Sequence, residues 1–231
     1  YFRFERSAQV DDAKFFYNDT LNKSSNPFYW PKSVYYNKKN LSLKLRSVLE
    51  KYKTHSFLII HKDSIVHEEY WKEWAVTNNK SNSFSIAKSI VSLIAGIAVH
   101  KGYLRDFNHP VKSVFPEMDF FDSDYDVTIG DLLNMSSGLD WDENYYNPFN
   151  ITARSYMTKD LTSLTKSLSF SSEAGLNYNY QSGATQLASL MIEKLLMDSS
   201  SISFSEFSSI YFWEKIGASE EALWSLDRKN G

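Results

Sequence analysis

The sequence predicts an α+β fold, with a small antiparallel sheet followed by a larger number of helices. Two apolar runs, Ser56–Ile60 and Ile65–Trp71, flank a short polar turn, which is typical of a β-hairpin. Further along, the run from Ser85 to Val99 is apolar on nearly all sides, which indicates a buried helix. Strands that come first and helices that follow are the order of elements expected for an α+β protein.

The chain divides into an aromatic N-terminal segment and a longer body. Residues 1–40 carry many aromatic and polar side chains without a clear period, and we expect an extended arm packed on a domain at 41–231. That domain opens with a short amphipathic helix over 41–53, indicated by apolar residues at helical spacing (Leu41, Leu45, Val48 and Leu49). The last residues, from Leu226 to Gly231, are polar and predict no closing helix or strand.

Local signals place further helix boundaries in the body. Gly102 is expected to end the buried helix, because glycine is common just past a helix C-terminus. Thr128 is a candidate N-cap for a short helix over 127–135, and another helix is predicted over roughly 184–197. The segment 137–160 between these two helices is predicted to be a polar and aromatic loop.

Composition excludes several classes of function. The 231 residues have a net charge of −3, so there is no basic excess to favour nucleic-acid binding. The chain has no cysteine, which excludes disulfides, thiolate zinc sites and a cysteine nucleophile. A membrane span is the rival reading of the apolar run at 85–99, but that run is shorter than the ~20 residues a span needs and carries Lys88 near its start.

Two segments match the pattern S-x-x-K, and their surroundings differ. Ser85-Ile-Ala-Lys88 opens the predicted buried helix, whereas Ser163-Leu-Thr-Lys166 lies in a polar stretch. A serine becomes nucleophilic when a neighbour accepts its proton, and a lysine three positions on lies on the same helix face. Free N–H groups and the helix dipole would stabilise negative charge at such a position. The plain alternative is that Ser85 only opens the helix and Lys88 extends to the surface.

The histidines argue against two other kinds of active site. None of the five lies in the segments 83–89, 132–143 and 174–187, so a Ser-His-Asp triad has no evident histidine. His61 and His67 alternate in the predicted hairpin without a carboxylate cluster at ligand spacing, so no metal site is expected.

Three segments together resemble the beta-lactamase-related serine hydrolases. They are Ser83-Phe-Ser-Ile-Ala-Lys-Ser89, the stretch from Leu132 to Glu143, and the stretch from Ala174 to Leu187, which contains Asn177-Tyr-Asn-Tyr-Gln-Ser182. Their order and spacing are most similar to those of 6-aminohexanoate-dimer (nylon oligomer) hydrolases and class C beta-lactamase-like esterases. The resemblance extends over roughly residues 41–229 and implies a beta-lactamase/transpeptidase-like fold, with a helical lobe beside an antiparallel sheet.

The resemblance implies roles for individual residues. Ser85 would be the acylated nucleophile, Lys88 its helix partner, and Tyr180, in the family's second motif, the general base. An ammonium group beside a phenol favours the phenolate form, which can accept a proton. Ser182 completes that motif as a substrate-binding residue, and Tyr145, on a loop over the cleft, would contact substrate. The alternative for this loop is a solvated segment anchored by its tryptophan.

The implied activity is hydrolysis of an amide or ester bond in a small linear substrate through a Ser85 acyl-enzyme, without metal or organic cofactor. A D,D-peptidase or beta-lactamase of the same fold is an alternative, and so is a non-catalytic binding or sensor protein that kept the fold. Small-molecule substrates, and no nucleic acid, are the partners expected. Active-site serine labelling would separate an enzyme from a sensor.

One family feature is missing from the second half of the chain. The family carries a third motif, K-T-G or H-x-G, on a strand beside the site, and neither tripeptide follows Tyr180. We therefore expect an N-terminal fragment that holds only the first strands of the sheet and has negligible activity alone. The first residue is Tyr1, so a leader or membrane anchor would lie outside the given chain. A periplasmic location is expected, with the cytoplasm as the alternative.

Overall fold

A computed structural model describes residues 10, 12–71, 80–147 and 149–228. The helices are α1 (Leu43–Lys51), α2 (Ile86–His100), α3 (Ile129–Leu133), α4 (Ile151–Met157), α5 (Leu161–Lys166), α6 (Ser182–Ser200) and α7 (Phe204–Ser208). The strands are β1 (Tyr17–Leu21), β2 (Ser56–His61), β3 (Ser64–Tyr70) and β4 (Ala222–Leu226). Short 3-10 turns lie at Asp12–Phe15 and Val111–Ser113, and a π-helical turn at Ser209–Trp213 follows α7.

Strands β2 and β3 form the predicted hairpin, which is confirmed. They pair antiparallel from Ser56–Tyr70 to His61–Ser64. The two turn residues, Lys62 and Asp63, have φ angles of 49° and 55°, and positive φ at both positions gives a turn that matches the twist of the strands. Residues 31–37, within the predicted arm, run along the outer edge of β3 through backbone hydrogen bonds such as Ser33 N to Ile65 O.

A second two-stranded sheet, β1 with β4, was not predicted, and β4 ends at Leu226, where the polar C-terminal stretch begins. Tyr17 pairs with Leu226 and Leu21 pairs with Ala222 in an antiparallel register. Trp224 on β4 packs on Phe204, with ring centroids 5.1 Å apart. The local pattern of β4 is five residues long, so its partner, far away in sequence, specifies it more than its own composition does.

The core lies mainly between α2 and α6, as the buried-helix prediction requires. Ile94, Ala95 and Ala98 of α2 are completely buried, as are Leu187 and Met191 of α6. The burial is confined to one face of α2, because Ile86 and Leu93 on this helix are 68% and 53% exposed. The uniformly apolar sequence therefore overstated how much of α2 is covered within the described residues.

Two predicted helix boundaries are confirmed: Gly102 lies just past the end of α2, and Thr128 lies at the start of α3. Gly102, with φ +79°, directly follows the end of α2. The letters of His100-Lys101-Gly102 also match H-x-G, but these residues end a helix and do not lie on a strand. Thr128 caps α3, and its side chain and that of Asp131 form a reciprocal capping box. Helix α6 is longer than predicted, and α4 interrupts the predicted loop.

None of the helices in the described ranges combines the length and the apolar character that crossing a membrane requires.

Candidate active site

Ser85 stands immediately before α2, on an exposed turn. The residue before it, Phe84, has a φ of +47°, a left-handed conformation that is uncommon for an aromatic residue. The chain therefore makes a tight turn at Phe84, and Ser85 is placed in the N-cap position without a side-chain capping bond. Its hydroxyl is thus left for other partners.

The expectation that several free N–H groups at the start of α2 would stabilise negative charge needs correction. The N–H groups of Ile86, Ala87 and Lys88 donate to the carbonyls of residues 83, 84 and 85, so they are already used. Within the described residues, the Ser85 N–H has no such acceptor. The N–H that can stabilise an oxyanion here is that of Ser85 itself, and the next three are not free for it.

Three side chains meet at the Ser85 hydroxyl. The Tyr180 hydroxyl lies 2.6 Å from Ser85 Oγ, and Lys88 Nζ lies 3.2 Å from the same atom. Lys88 Nζ is also 5.0 Å from the centre of the Tyr180 ring. The structure thus brings together the three residues to which the resemblance gave catalytic roles, although the roles themselves stay predictions.

The second S-x-x-K segment has no such arrangement. Ser163 is exposed within α5, and its N–H and hydroxyl both bond the Asp160 side chain at the start of that helix. Lys166 forms an ion pair with Glu117 and does not turn back toward Ser163. Ser163 is therefore part of a helix cap.

Ser182, at the start of α6, links Lys88 to a carboxylate that the sequence analysis did not single out. Lys88 Nζ donates to Ser182 Oγ at 3.0 Å, and Ser182 Oγ donates to Glu143 Oε1 at 2.5 Å. The Ser182 N–H also donates to Glu143, at 2.7 Å. The Ser182 hydroxyl is therefore bonded to Lys88 on one side and to Glu143 on the other, and its contact with substrate stays a prediction.

Glu143 is enclosed by donors. In addition to Ser182, it accepts from Trp141 Nε1 at 2.6 Å and from the Tyr145 hydroxyl. Burial opposes ionisation, but the hydrogen bonds from Ser182, Tyr145 and Trp141 together hold the pKa of the Glu143 carboxyl below its usual value. Glu143 is therefore an anion at neutral pH, one hydroxyl away from the Lys88 ammonium.

Tyr145 uses its hydroxyl inside the protein while its ring remains accessible. Desolvation and the hydrogen bond to Glu143 raise the pKa of the Tyr145 hydroxyl well above its ordinary value. Tyr145 is 48% exposed, and a contact between this residue and a substrate stays a prediction. Desolvation and the charge of Glu143 also raise the pKa of the neighbouring Tyr156.

The segment that carries Tyr180 is fixed by hydrogen bonds to the chain after α3. Asn179 N donates to Met135 O at 2.7 Å, and the buried Gln181 side chain donates to Leu139 O at 2.7 Å. Tyr178, two residues before Tyr180, is 72% exposed and forms no part of the cluster around Ser85. Side chains two positions apart face the same side of an extended segment, so alternation alone does not separate the two tyrosines. Tyr180 differs from Tyr178 in its hydrogen bond to Ser85 Oγ.

Among the described residues, this site has no cluster of side chains that could hold a metal ion. In the described part of the chain, no three His, Asp or Glu side chains lie close enough together to hold a metal ion.

A family model described as beta-lactamase matches residues 46–223. The chain belongs to the beta-lactamase family. The matched range includes Ser85, Lys88 and Tyr180, together with the Glu143 loop. No curated protein matches the sequence significantly.

The fold of this beta-lactamase-family chain is also similar to a solved structure. The similar structure is a Bacillus anthracis protein assigned as a 6-aminohexanoate-dimer hydrolase, with a TM-score of 0.76 and 16% sequence identity. The match covers 96% of this chain and 62% of that one, so this chain spans less than two thirds of the length of that protein. At this identity the similarity confirms the predicted beta-lactamase-like fold.

Sequence reasoning missed two features of the site. Glu143 lies in the predicted loop that carries Tyr145, but a carboxylate among other polar loop residues gives no local sign that it is half-buried and hydrogen-bonded. The positive φ at Phe84 carries no sequence signal, since neither glycine nor asparagine marks the turn. The pairing of Glu143 with the second motif becomes visible only when the fold brings the loop beside α6.

Proposed function

We propose that this chain carries the acylating residues of a serine hydrolase that cleaves an amide or ester bond in a small linear substrate. The observation that supports it most is the meeting of Tyr180 and Lys88 at Ser85 Oγ. A hydroxyl acts as a nucleophile when a base stands within hydrogen-bond reach, and both distances meet that requirement.

The proposed reaction starts with Tyr180 as a phenolate beside the Lys88 ammonium, and the phenolate oxygen accepts the Ser85 proton. Ser85 Oγ then forms a bond to the substrate carbonyl carbon, and the Ser85 N–H donates to the oxyanion that develops. Tyr180 returns the proton to the leaving amine or alcohol as its bond to the carbonyl carbon breaks. In the second half of the reaction, Tyr180 accepts a proton from water as the water oxygen attacks the carbonyl carbon of the Ser85 ester. The bond between that carbon and Ser85 Oγ then breaks, Tyr180 returns the proton to Ser85 Oγ, and the acid is released.

A linear substrate is favoured by the surroundings of Ser85. Phe84, Ile86 and Tyr145 expose 50%, 68% and 48% of their surfaces, and the first two are sequence neighbours of Ser85. Such surfaces suit an extended chain with apolar segments. The assignment of the structural relative, which names a dimer of 6-aminohexanoate, agrees with a linear amide.

The test compares the two S-x-x-K serines in the full-length protein. Ser85→Ala should abolish turnover and labelling by a fluorophosphonate probe, whereas Ser163→Ala should leave both near the wild-type level. Tyr180→Phe removes only a hydroxyl, so it should slow acylation by ~10²–10⁴-fold while the protein still melts cooperatively.

Three results would contradict the proposal or one of its assigned roles. Loss of labelling in Ser163→Ala but not in Ser85→Ala would move the nucleophile. A folded wild-type protein that is neither labelled at Ser85 nor active on ester substrates would support the binding or sensor alternative. Unchanged acylation in Tyr180→Phe would leave Lys88 as the base.

A further inference from the structure

Glu143 is engaged on both carboxylate oxygens, and this determines the direction of the hydrogen bonds that reach it. An ionised carboxylate only accepts hydrogen bonds. The Ser182 hydroxyl at 2.5 Å must therefore donate to Glu143, and its lone pairs face Lys88 Nζ at 3.0 Å. The result is a one-way chain from the Lys88 ammonium through the Ser182 hydroxyl to Glu143.

This chain fixes where the lysine points. An ammonium has three donors on a flexible stem and does not orient itself. Here one donor is bound to Ser182 and another reaches Ser85 Oγ at 3.2 Å. Because the Ser182 N–H also bonds Glu143, the position of Ser182 is set by both the carboxylate and the start of α6.

The Glu143 carboxylate lies two hydrogen bonds away from the Lys88 ammonium. An opposite charge within about 4–6 Å favours the charged form of a titratable group. The other titratable groups around Glu143 are Tyr145 on the same loop, Tyr156 on α4, and Tyr180 beyond Lys88, with Asp142 adjacent in sequence. The pKa values of Tyr145 and Tyr156 are raised, so both hydroxyls are uncharged at neutral pH and neither adds a negative charge beside the Lys88 ammonium.

We propose that Glu143 is a positioning residue that acts through Ser182 to direct the Lys88 Nζ at Ser85 and places a negative charge beside that ammonium, so that Tyr180 and not Lys88 removes the Ser85 proton. This inference rests on the proposed function, because it assigns the base within that reaction. A Glu143 that serves only to brace its loop would share the hydrogen bonds but would not influence which group accepts the proton.

The experiment measures the pH dependence of fluorophosphonate labelling in the full-length protein. The Lys88–Tyr180 pair must lose one proton before Ser85 reacts, and this loss gives the acid limb of the profile. Glu143→Gln removes the negative charge that opposes the loss, so the midpoint of the limb should move to lower pH by about one unit. The plateau should fall by roughly 10²-fold, since Lys88 and Ser182 are no longer held.

Two matched variants separate charge from structure. Tyr145→Phe removes one donor to Glu143 and keeps its charge, so the midpoint should stay in place. In Glu143→Gln, neutral Lys88 becomes available as a base, so adding Tyr180→Phe should cost at least tenfold less than Tyr180→Phe costs in the wild type.

A Glu143→Gln profile that keeps the wild-type midpoint, or a Tyr180→Phe effect of equal size in both backgrounds, would overturn the inference. If Glu143→Gln does not fold, Ser182→Ala carries the test: slower labelling at every pH supports the link, and an unchanged rate overturns it. A folded wild-type protein that is not labelled at Ser85 would instead reject the proposed function.

Discussion

At the residue scale, Phe84 shows how the chain presents its serine. A non-glycine residue in the left-handed region costs roughly 1–2 kcal/mol, and the φ of +47° persists because the surrounding structure holds it. The turn lets Ser85 stand clear of α2 while Lys88 and Tyr180 approach its hydroxyl from one side. Strain beside the proposed nucleophile therefore serves its placement.

Replacing Phe84 with glycine and with alanine separates this strain from the aromatic ring. Both variants lose the ring, but only Phe84→Ala keeps the Cβ that disfavours positive φ. Phe84→Gly should be more stable than Phe84→Ala by about 0.5–1 kcal/mol, after allowance for the greater chain entropy of glycine when unfolded. Urea unfolding of the two variants measures the difference, and an alanine variant of equal or greater stability would show that the turn is not strained.

The residues around Ser85 also show what sequence can predict at this scale. Ser85, Lys88 and Tyr180 belong to motifs whose letters and order are informative, and the structure places them together. Glu143 ends one of the segments that carry the resemblance, but its hydrogen bonds to Ser182 become visible only in the fold. Burial and hydrogen bonding of a loop carboxylate depend on distant segments, which the sequence does not bring together on its own.

At the element scale, the start of α6 depends on close packing against the loop that holds Glu143. A Cβ on Gly183 would lie 2.3 Å from Trp141 Cε3, which is far inside van der Waals contact. Trp141 is buried and donates to Glu143, so it cannot withdraw without disturbing that carboxylate. The glycine therefore permits the indole, Glu143 and Ser182 to occupy one layer.

Gly183→Ala should destabilise the protein by about 1–3 kcal/mol, because the added methyl group overpacks the indole. The matched control is Gly96→Ala in α2, where the nearest atom is Phe107 Cζ at 4.0 Å. There the substitution should be neutral or stabilise by up to ~1 kcal/mol, because alanine is the better helix former. Thermal unfolding of both variants measures the contrast, and equal effects would contradict the packing argument.

Elements with strong local signals were predicted well, and those that depend on distant partners were not. The hairpin and α2 follow from apolar runs and turn residues within about fifteen positions. By contrast, β1 and β4 are five residues each and are defined by pairing with one another. A short half-buried strand has little signal of its own, so the second sheet could not be predicted from either segment alone.

At the scale of the whole molecule, β2 forms an open edge. Strand β2 pairs with β3 on one side, and on its other side no strand of the described ranges pairs with it. Leu58 and Ile60 on β2 are 48% and 42% exposed. Unpaired backbone groups beside exposed apolar side chains make such an edge prone to pair with another chain. The chain spans 62% of the length of the structural relative.

The 231-residue chain should therefore self-associate as its concentration rises. Leu58→Lys together with Ile60→Lys should reduce this association, because lysines on an edge strand discourage pairing. The control is Met197→Lys on α6, a position that is similarly exposed, at 45%, but lies outside the sheet. Sedimentation velocity measures the association, and an equal effect of the control would show that general solubility, and not the β2 edge, is responsible.

The pairing of β1 with β4 has a consequence for the order in which the molecule is assembled. Asn18 and Ser225, bonded across this sheet, are 207 positions apart, so the pair forms one of the least local contacts in the chain. Closing a loop of this length costs chain entropy before the contact is made, so we expect this pair to form after the intervening segments have become compact. During synthesis β1 emerges first and must wait for β4 before its backbone is paired, so its docking depends on everything made between them.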